Sequence, residues 1–238
     1  MPSERIQWFP GHMAKTRRLI AENLKDVDLV FELLDARIPR SSENPEIAGL
    51  TAGRPRLTLL SKSSLADPSV TEAWKKSFRE SGAACIFYDC RTGEGISEIA
   101  PAVRRLCADK LQKYRERGME GRRLRAMIVG IPNVGKSSLI NRLSAASKAK
   151  VEDRPGVTLN KQWVTTALGF DLLDMPGVLW PKFDDRTVGE NLALTGAIRD
   201  EIMDVEMLAC VLCGRLRTVS AVGNASPTAR KSYPLPAK

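Results

Sequence analysis

The sequence predicts an α/β fold in which a mostly parallel sheet carries helices on both faces. Three observations lead there. Short apolar runs alternate with helix-spaced stretches through about residue 180. A glycine-rich loop, Gly130-Ile131-Pro132-Asn133-Val134-Gly135-Lys136-Ser137, lies between one such run and one such stretch. With 238 residues and 43% hydrophobic content, the chain can bury a core of that size.

The elements follow in order. Residues 10–25 have helical periodicity and begin at Pro10 and Gly11. Residues 28–35 read as a first strand, with Asp35 and Arg37 at its end. Residues 56–60 form a second strand, followed by Ser61-Lys62-Ser63-Ser64-Leu65-Ala66-Asp67. Residues 84–88 form a third, followed by Asp89-Cys90-Arg91-Thr92-Gly93. Residues 124–129 make a buried strand that enters the glycine-rich loop, and residues 138–143 leave it with helical spacing. Leu172-Leu173-Asp174-Met175-Pro176-Gly177 is an apolar strand ending in D-x-x-G. Helices are expected at 187–198 and 203–216. The predicted units are a sheet domain over 1–184, a short helical C-terminal appendage over 185–217 and a polar, proline-containing disordered tail over 218–238.

Strand, loop and helix together satisfy G-x-x-x-x-G-K-[ST], the phosphate-binding loop. Backbone amides of Asn133, Val134, Gly135, Lys136, Ser137 and Ser138 are placed to close around phosphate oxygens, and Lys136 supplies a point charge. The hydroxyls of Ser137 and Thr158 suit Mg²⁺, with Asp174 reaching it through water. Pro176 and Gly177 would border the γ-phosphate. This order and spacing predict a GTPase-type site; a P-loop ATPase is the alternative. The guanine-reading elements of a GTPase normally follow the phosphate loop. Here their candidates, 61–67 and 89–93, precede it, which implies a circularly permuted P-loop GTPase fold.

With Trp8-Phe9-Pro10-Gly11-His12-Met13-Ala14-Lys15, Asp35-Ala36-Arg37-Ile38-Pro39 and Leu179-Trp180-Pro181-Lys182-Phe183, the chain closely resembles the ribosome-biogenesis GTPase A family from about Gln7 to about Leu216. The resemblance implies GTP hydrolysis to GDP and phosphate, Mg²⁺, and partnership with the large ribosomal subunit precursor and its rRNA. It also implies turnover stimulated by that particle. His12 matches the family's catalytic histidine; a helix-start residue with structural hydrogen bonds is the alternative. Asn133 matches a residue that helps hold K⁺ in potassium-stimulated relatives, with loop shaping as the alternative. Where many GTPases place a water-aligning Gln, this chain has Val178, as the family does. The base loops map guanine contacts onto Ser61, Lys62, Ser64, Cys90 and Arg91. Ser61 and Ser64 stand where N-K-x-D has its Asn and Asp, so guanine preference is expected to be modest, with Asp67 as a possible substitute acceptor. The family's C-terminal domain is normally longer. A nucleotide-dependent RNA- or ribosome-binding scaffold with negligible hydrolysis is the second reading.

Composition agrees with an anionic partner: Lys+Arg 37 against Asp+Glu 28 gives +9. Nine basic residues between Arg104 and Arg125 form either an RNA-tracking patch or a solvated surface. No DNA partner is expected. No apolar run is long enough to span a bilayer and no secretory signal is evident, so a cytoplasmic protein without membrane association is expected. Five scattered cysteines suit free thiols. Cys210-x-x-Cys213 lacks the His or second Cys pair of a zinc site and reads as two core thiols on a helix.

Overall fold

The computed structural model describes residues 12–144, 162–180, 183, 185–198 and 204–223. Six strands form one sheet: β1 (Leu29–Asp35), β2 (Arg56–Ser61), β3 (Cys85–Phe87), β4 (Leu124–Gly130), β5 (Gln162–Thr165) and β6 (Phe170–Asp174). Their order is β3-β2-β1-β4-β6-β5, and only the β5–β6 pairing is antiparallel. The helices are α1 (His12–Asn23), α2 (Pro39–Ser42), α3 (Pro45–Leu50), α4 (Pro68–Glu80), α5 (Ile96–Leu106), α6 (Ala108–Glu116), α7 (Lys136–Leu143), α8 (Arg186–Leu194) and α9 (Val205–Gly223).

β1 is central because every residue of Leu-Val-Phe-Glu-Leu-Leu-Asp is buried, the pattern of a strand covered on both faces. Its alternate side chains feed two cores. Leu29, Phe31 and Leu33 join Leu57, Leu59, Ala126, Ile128 and Phe170 on one face. Val30 joins Ile20, Val27, Met127, Val129 and Leu173 on the other. The Phe31 and Phe170 rings meet edge to face at 5.6 Å, tying β1 to β6 across β4. Glu32, buried within the strand, pairs with Arg56 at 3.2 Å; burial pushes its carboxyl up to about 7 against the pull of that guanidinium.

Local chemistry starts the helices where the strands need them. Asn44 and Asp67 cap α3 and α4 by accepting from Glu46 N and from Ser69 and Val70 N, with Pro45 and Pro68 at the first helical positions. The loop between β3 and α5 turns on Gly95, at φ +71°, where a Cβ would come within 2.2 Å of Phe87 O.

The appendage differs from its expected form in two respects. α9 continues to Gly223, past residue 217, and both Cys210 and Cys213 are exposed. They are therefore not core thiols: among the described residues α9 packs chiefly on α8, which leaves both cysteines outside the contact. Its anchor is polar, with Arg215 reaching Glu190 at 2.6 Å and also Asn191 on α8. Among the described residues no group of three His, Cys, Asp or Glu side chains is placed to hold a metal. No helix of the described residues is long and apolar enough to cross a membrane. The strand β5 has no distinct sequence signal, because a four-residue antiparallel edge is too short for periodicity to reveal.

Candidate nucleotide site

β1, β2, β3, β4 and β6 run parallel, so their carboxyl ends open on one rim of the sheet, where α/β sheets bind ligands. The phosphate side is built there by β4, α7 and the loop after β6. Gly135, at φ +104°, turns the chain so that α7 begins at Lys136. Ser137 and Ser138 are exposed on the first turn of α7, where amides and helix dipole favour an anion. Lys136 is buried, and its ammonium donates to Ile131 O at 2.8 Å and Gly130 O at 3.3 Å. Burial lowers its pKa to about 8, with nearby Asp174 opposing the shift. The reverse holds for Asp174, whose pKa burial raises and Lys136 lowers. Asp174 Oδ1 is buried without a hydrogen-bond partner. An orphaned carboxylate oxygen beside a serine-bearing helix start fits a hard divalent cation such as Mg²⁺.

The D-x-x-G loop lies directly on the phosphate loop. Val178 N donates to Gly130 O at 3.0 Å, and a Cβ on Gly177 would approach Pro132 N to 2.7 Å. Only glycine permits that approach. Val178 itself is buried, and its carbonyl accepts from Asn44. Pro176 and Gly177 are half-buried at the rim.

The candidate base side lies at the ends of β2 and β3. Ser61 is buried, and its hydroxyl lies 2.6 Å from Val134 O and 3.1 Å from Leu34 O, joining the base loop to the phosphate loop. Lys62 takes a left-handed conformation, φ 60° and ψ 35°. Its ammonium donates to Asp35 at 2.8 Å and to Asn133 O at 2.9 Å. Arg37 clamps the same carboxylate at 2.9 and 2.7 Å. Burial alone would raise the Asp35 pKa, but the bonds from Arg37 and Lys62 hold it below the usual carboxylate value. Ser64 donates to Asp89, and Arg91 approaches the Ser64 hydroxyl at 3.4 Å. Cys90 is half-buried; burial and then the Asp89 charge push its thiol up to about 11, so it stays a neutral thiol near neutral pH.

Asp67 stands at the start of α4. Its carboxylate caps α4, accepting from Ser69 N at 2.8 Å and Val70 N at 3.1 Å. Both amides bind the same oxygen, Oδ1, which the Ser69 hydroxyl also reaches at 2.5 Å. Asn133, at φ 55°, donates to Gly196 O at 2.6 Å, beyond the end of α8. His12 opens α1; the next residue, Met13, accepts from Leu179 N through its sulfur at 3.5 Å. The start of α1 therefore lies beside the D-x-x-G loop. Thr158 lies outside the described residues. Sequence reasoning assigns no contact to two members of this rim. Asp35 enters the sequence reading as a strand end and as part of the Asp35-to-Pro39 motif, and Asp89 as the first residue of a loop; the available signal is an acidic residue at or just past the end of a strand.

Strand order, the phosphate loop and the D-x-x-G contact define a circularly permuted P-loop GTPase, with its base loops first in sequence. The comparisons with known proteins agree. Residues 125–218 match the family model described as 50S ribosome-binding GTPase. The chain is 51% identical over 204 residues to ribosome biogenesis GTPase A of Bacillus licheniformis, covering 86% of this chain and 72% of that protein. It is 38% identical over 213 residues to mitochondrial ribosome-associated GTPase 1 of Mus musculus, covering 85% of this chain and 64% of that one. A crystal structure of GNP-bound YlqF from T. maritima shares the fold, with a TM-score of 0.62, 22% identity, and coverage of 91% of this chain and 79% of that chain. The chain belongs to the ribosome biogenesis GTPase A family.

Proposed function

We propose that the chain binds GTP and hydrolyses it to GDP and phosphate as a cytoplasmic assembly factor for the large ribosomal subunit, with turnover raised by the particle. The observation that carries the reading is the packing of Gly177 and Val178 onto the phosphate loop, together with the unpartnered Asp174 oxygen. Ribosome-named relatives on both bacterial and mitochondrial sides support the partner.

In this reading Lys136 and the loop amides hold the β- and γ-phosphates, and Ser137, Thr158 and Asp174 hold Mg²⁺. The metal supplies charge neutralisation for phosphoryl transfer. Asn133 is proposed to lend its side-chain oxygen, Oδ1, to a K⁺ ion, while Nδ2 keeps its bond to Gly196 O. Val178 is buried and cannot orient water, so that role passes to His12, at the start of the helix beside the D-x-x-G loop. His12→Ala should leave GTP affinity nearly intact and lower turnover, because its contact is realised in the transition state.

For RNA the exposed basic residues Arg104, Arg105, Lys113, Arg115 and Arg117 are the proposed contacts. Arg123 is withdrawn from that set, since it binds Asp171 at 2.7 Å and Thr166 O at 2.6 Å. Neutralising Arg104, Arg105, Arg115 and Arg117 should reduce the salt dependence of particle binding, by roughly 0.7–0.9 in log–log slope per lost contact. The deciding measurement is GTP turnover with and without large-subunit particles. A rise on addition supports the reading. Tight, GTP-dependent particle binding with no turnover would instead establish the scaffold reading, which the buried Val178 favours.

A further inference from the structure

The 61–64 segment holds no carboxylate, but one lies beside it on the loop that follows β3. Ser64 sits in the short 3-10 turn Ser63–Leu65 that follows β2. Asp89 lies just past β3. The two loops are stitched together, since Tyr88 N donates to Leu60 O at 2.8 Å and Ser63 N donates to Tyr88 O at 3.2 Å. At that junction the Ser64 hydroxyl donates its proton to Asp89 Oδ2. The other oxygen, Oδ1, accepts from Arg91 N at 2.7 Å and Thr92 N at 3.2 Å, which fixes the carboxylate in one orientation. Asp89 is buried, and although burial opposes its charge, these bonds keep it ionised.

A lone serine is a poor judge of purines. Its hydroxyl both donates and accepts, so it can accept from the ring N–H of guanine or donate to the bare ring nitrogen of adenine. A serine whose proton is committed to a carboxylate has only lone pairs left to offer. Such a group welcomes the N–H and amine edge of guanine and repels the lone pair of adenine.

We propose that Asp89 is the specificity-determining carboxylate of this site and that it acts through the Ser64 hydroxyl, the two together forming a guanine acceptor split across β2 and β3. This rests on the GTPase reading and goes beyond it by assigning a base-discriminating role to a residue outside the N-K-x-D segment. It also reverses a simple expectation. Ser64→Asp would set two carboxylates within hydrogen-bonding distance, where both cannot stay charged. The substitution therefore gains nothing unless Asp89 is neutralised as well.

The test is calorimetric titration of the full chain with GDP and with ADP. Asp89→Asn keeps an oxygen for Arg91 N and Thr92 N but releases the Ser64 proton. The GDP-over-ADP preference should fall by about tenfold or more, chiefly through weaker GDP binding, as expected for loss of a charge-assisted acceptor. Ser64→Ala leaves the Asp89 turn in place and should lower the preference as well. Ser64→Asp alone should not exceed the wild type. Ser64→Asp combined with Asp89→Asn should recover most of the lost preference, which a merely structural Asp89 would not produce. A wild-type preference retained in both Asp89→Asn and Ser64→Ala overturns the proposal, as does a wild type that binds both diphosphates equally. Binding of neither diphosphate would overturn the GTPase reading itself, so the two failures are distinguishable.

Discussion

The phosphate side and the base side of this rim are built by different means. The phosphate side is mostly backbone: a glycine-turned loop, a helix N-terminus and one buried lysine within seven residues, Gly130 to Lys136. The base side is mostly side chain, drawn from two loops that are 25 residues apart where Ser64 meets Asp89. Backbone sites demand a contiguous pattern, because glycine conformations and amide directions cannot be supplied from elsewhere. A side-chain acceptor can move to any residue that the fold brings to the same place. The phosphate side thus keeps its sequence pattern while the base side departs from it.

The largest expected effect strikes the phosphate side. Lys136→Ala removes a charge-assisted contact worth about 1.5–3 kcal/mol, so GDP and ADP should both weaken by roughly 10- to 150-fold. The loss should be equal for the two nucleotides, since this side is blind to the base. A loss confined to GDP would break the division drawn above.

The pH response of the same lysine comes next. The Lys136 pKa is depressed to about 8 by burial, and phosphate favours its charged form. Binding should therefore take up a proton as pH rises through 8, and affinity should decline above that point. Titration calorimetry in two buffers of different ionisation enthalpy measures the uptake. Lys136→Ala should abolish it; persistence of the uptake would assign the proton to another group.

Ser61→Ala should act on both sides, because this hydroxyl joins β2 to the phosphate loop. Deleting it leaves the buried Val134 carbonyl short of a partner and should cost about 1 kcal/mol of stability. Denaturant unfolding measures the loss, and unchanged stability would mean the two loops hold their places independently.

Asp67→Ala gives the sharpest control. Losing the α4 cap should cost about 0.5–2 kcal/mol of stability and leave the GDP-over-ADP preference unchanged. A changed preference would return Asp67 to the base side.

The sequence by itself determined the sheet class, the phosphate loop and the permuted order. Each depends on local constraints: hydrophobic runs long enough to be read, glycines that only certain turns require, and a lysine at fixed spacing. Asp174 and Gly177 were legible for the same reason, as parts of one short strand-and-turn pattern. Only the tertiary structure decided which carboxylate lies against Ser64. Asp67 is three residues from Ser64 in sequence yet is held by helix amides, while Asp89 arrives from the neighbouring strand because parallel pairing of β2 with β3 aligns their carboxyl ends. It also decided that Arg123 belongs to the sheet rather than to the basic surface, and that Cys210 and Cys213 face outward. Hydrogen-bond partners and burial are properties of neighbours in space, and a residue's own chemistry does not name them.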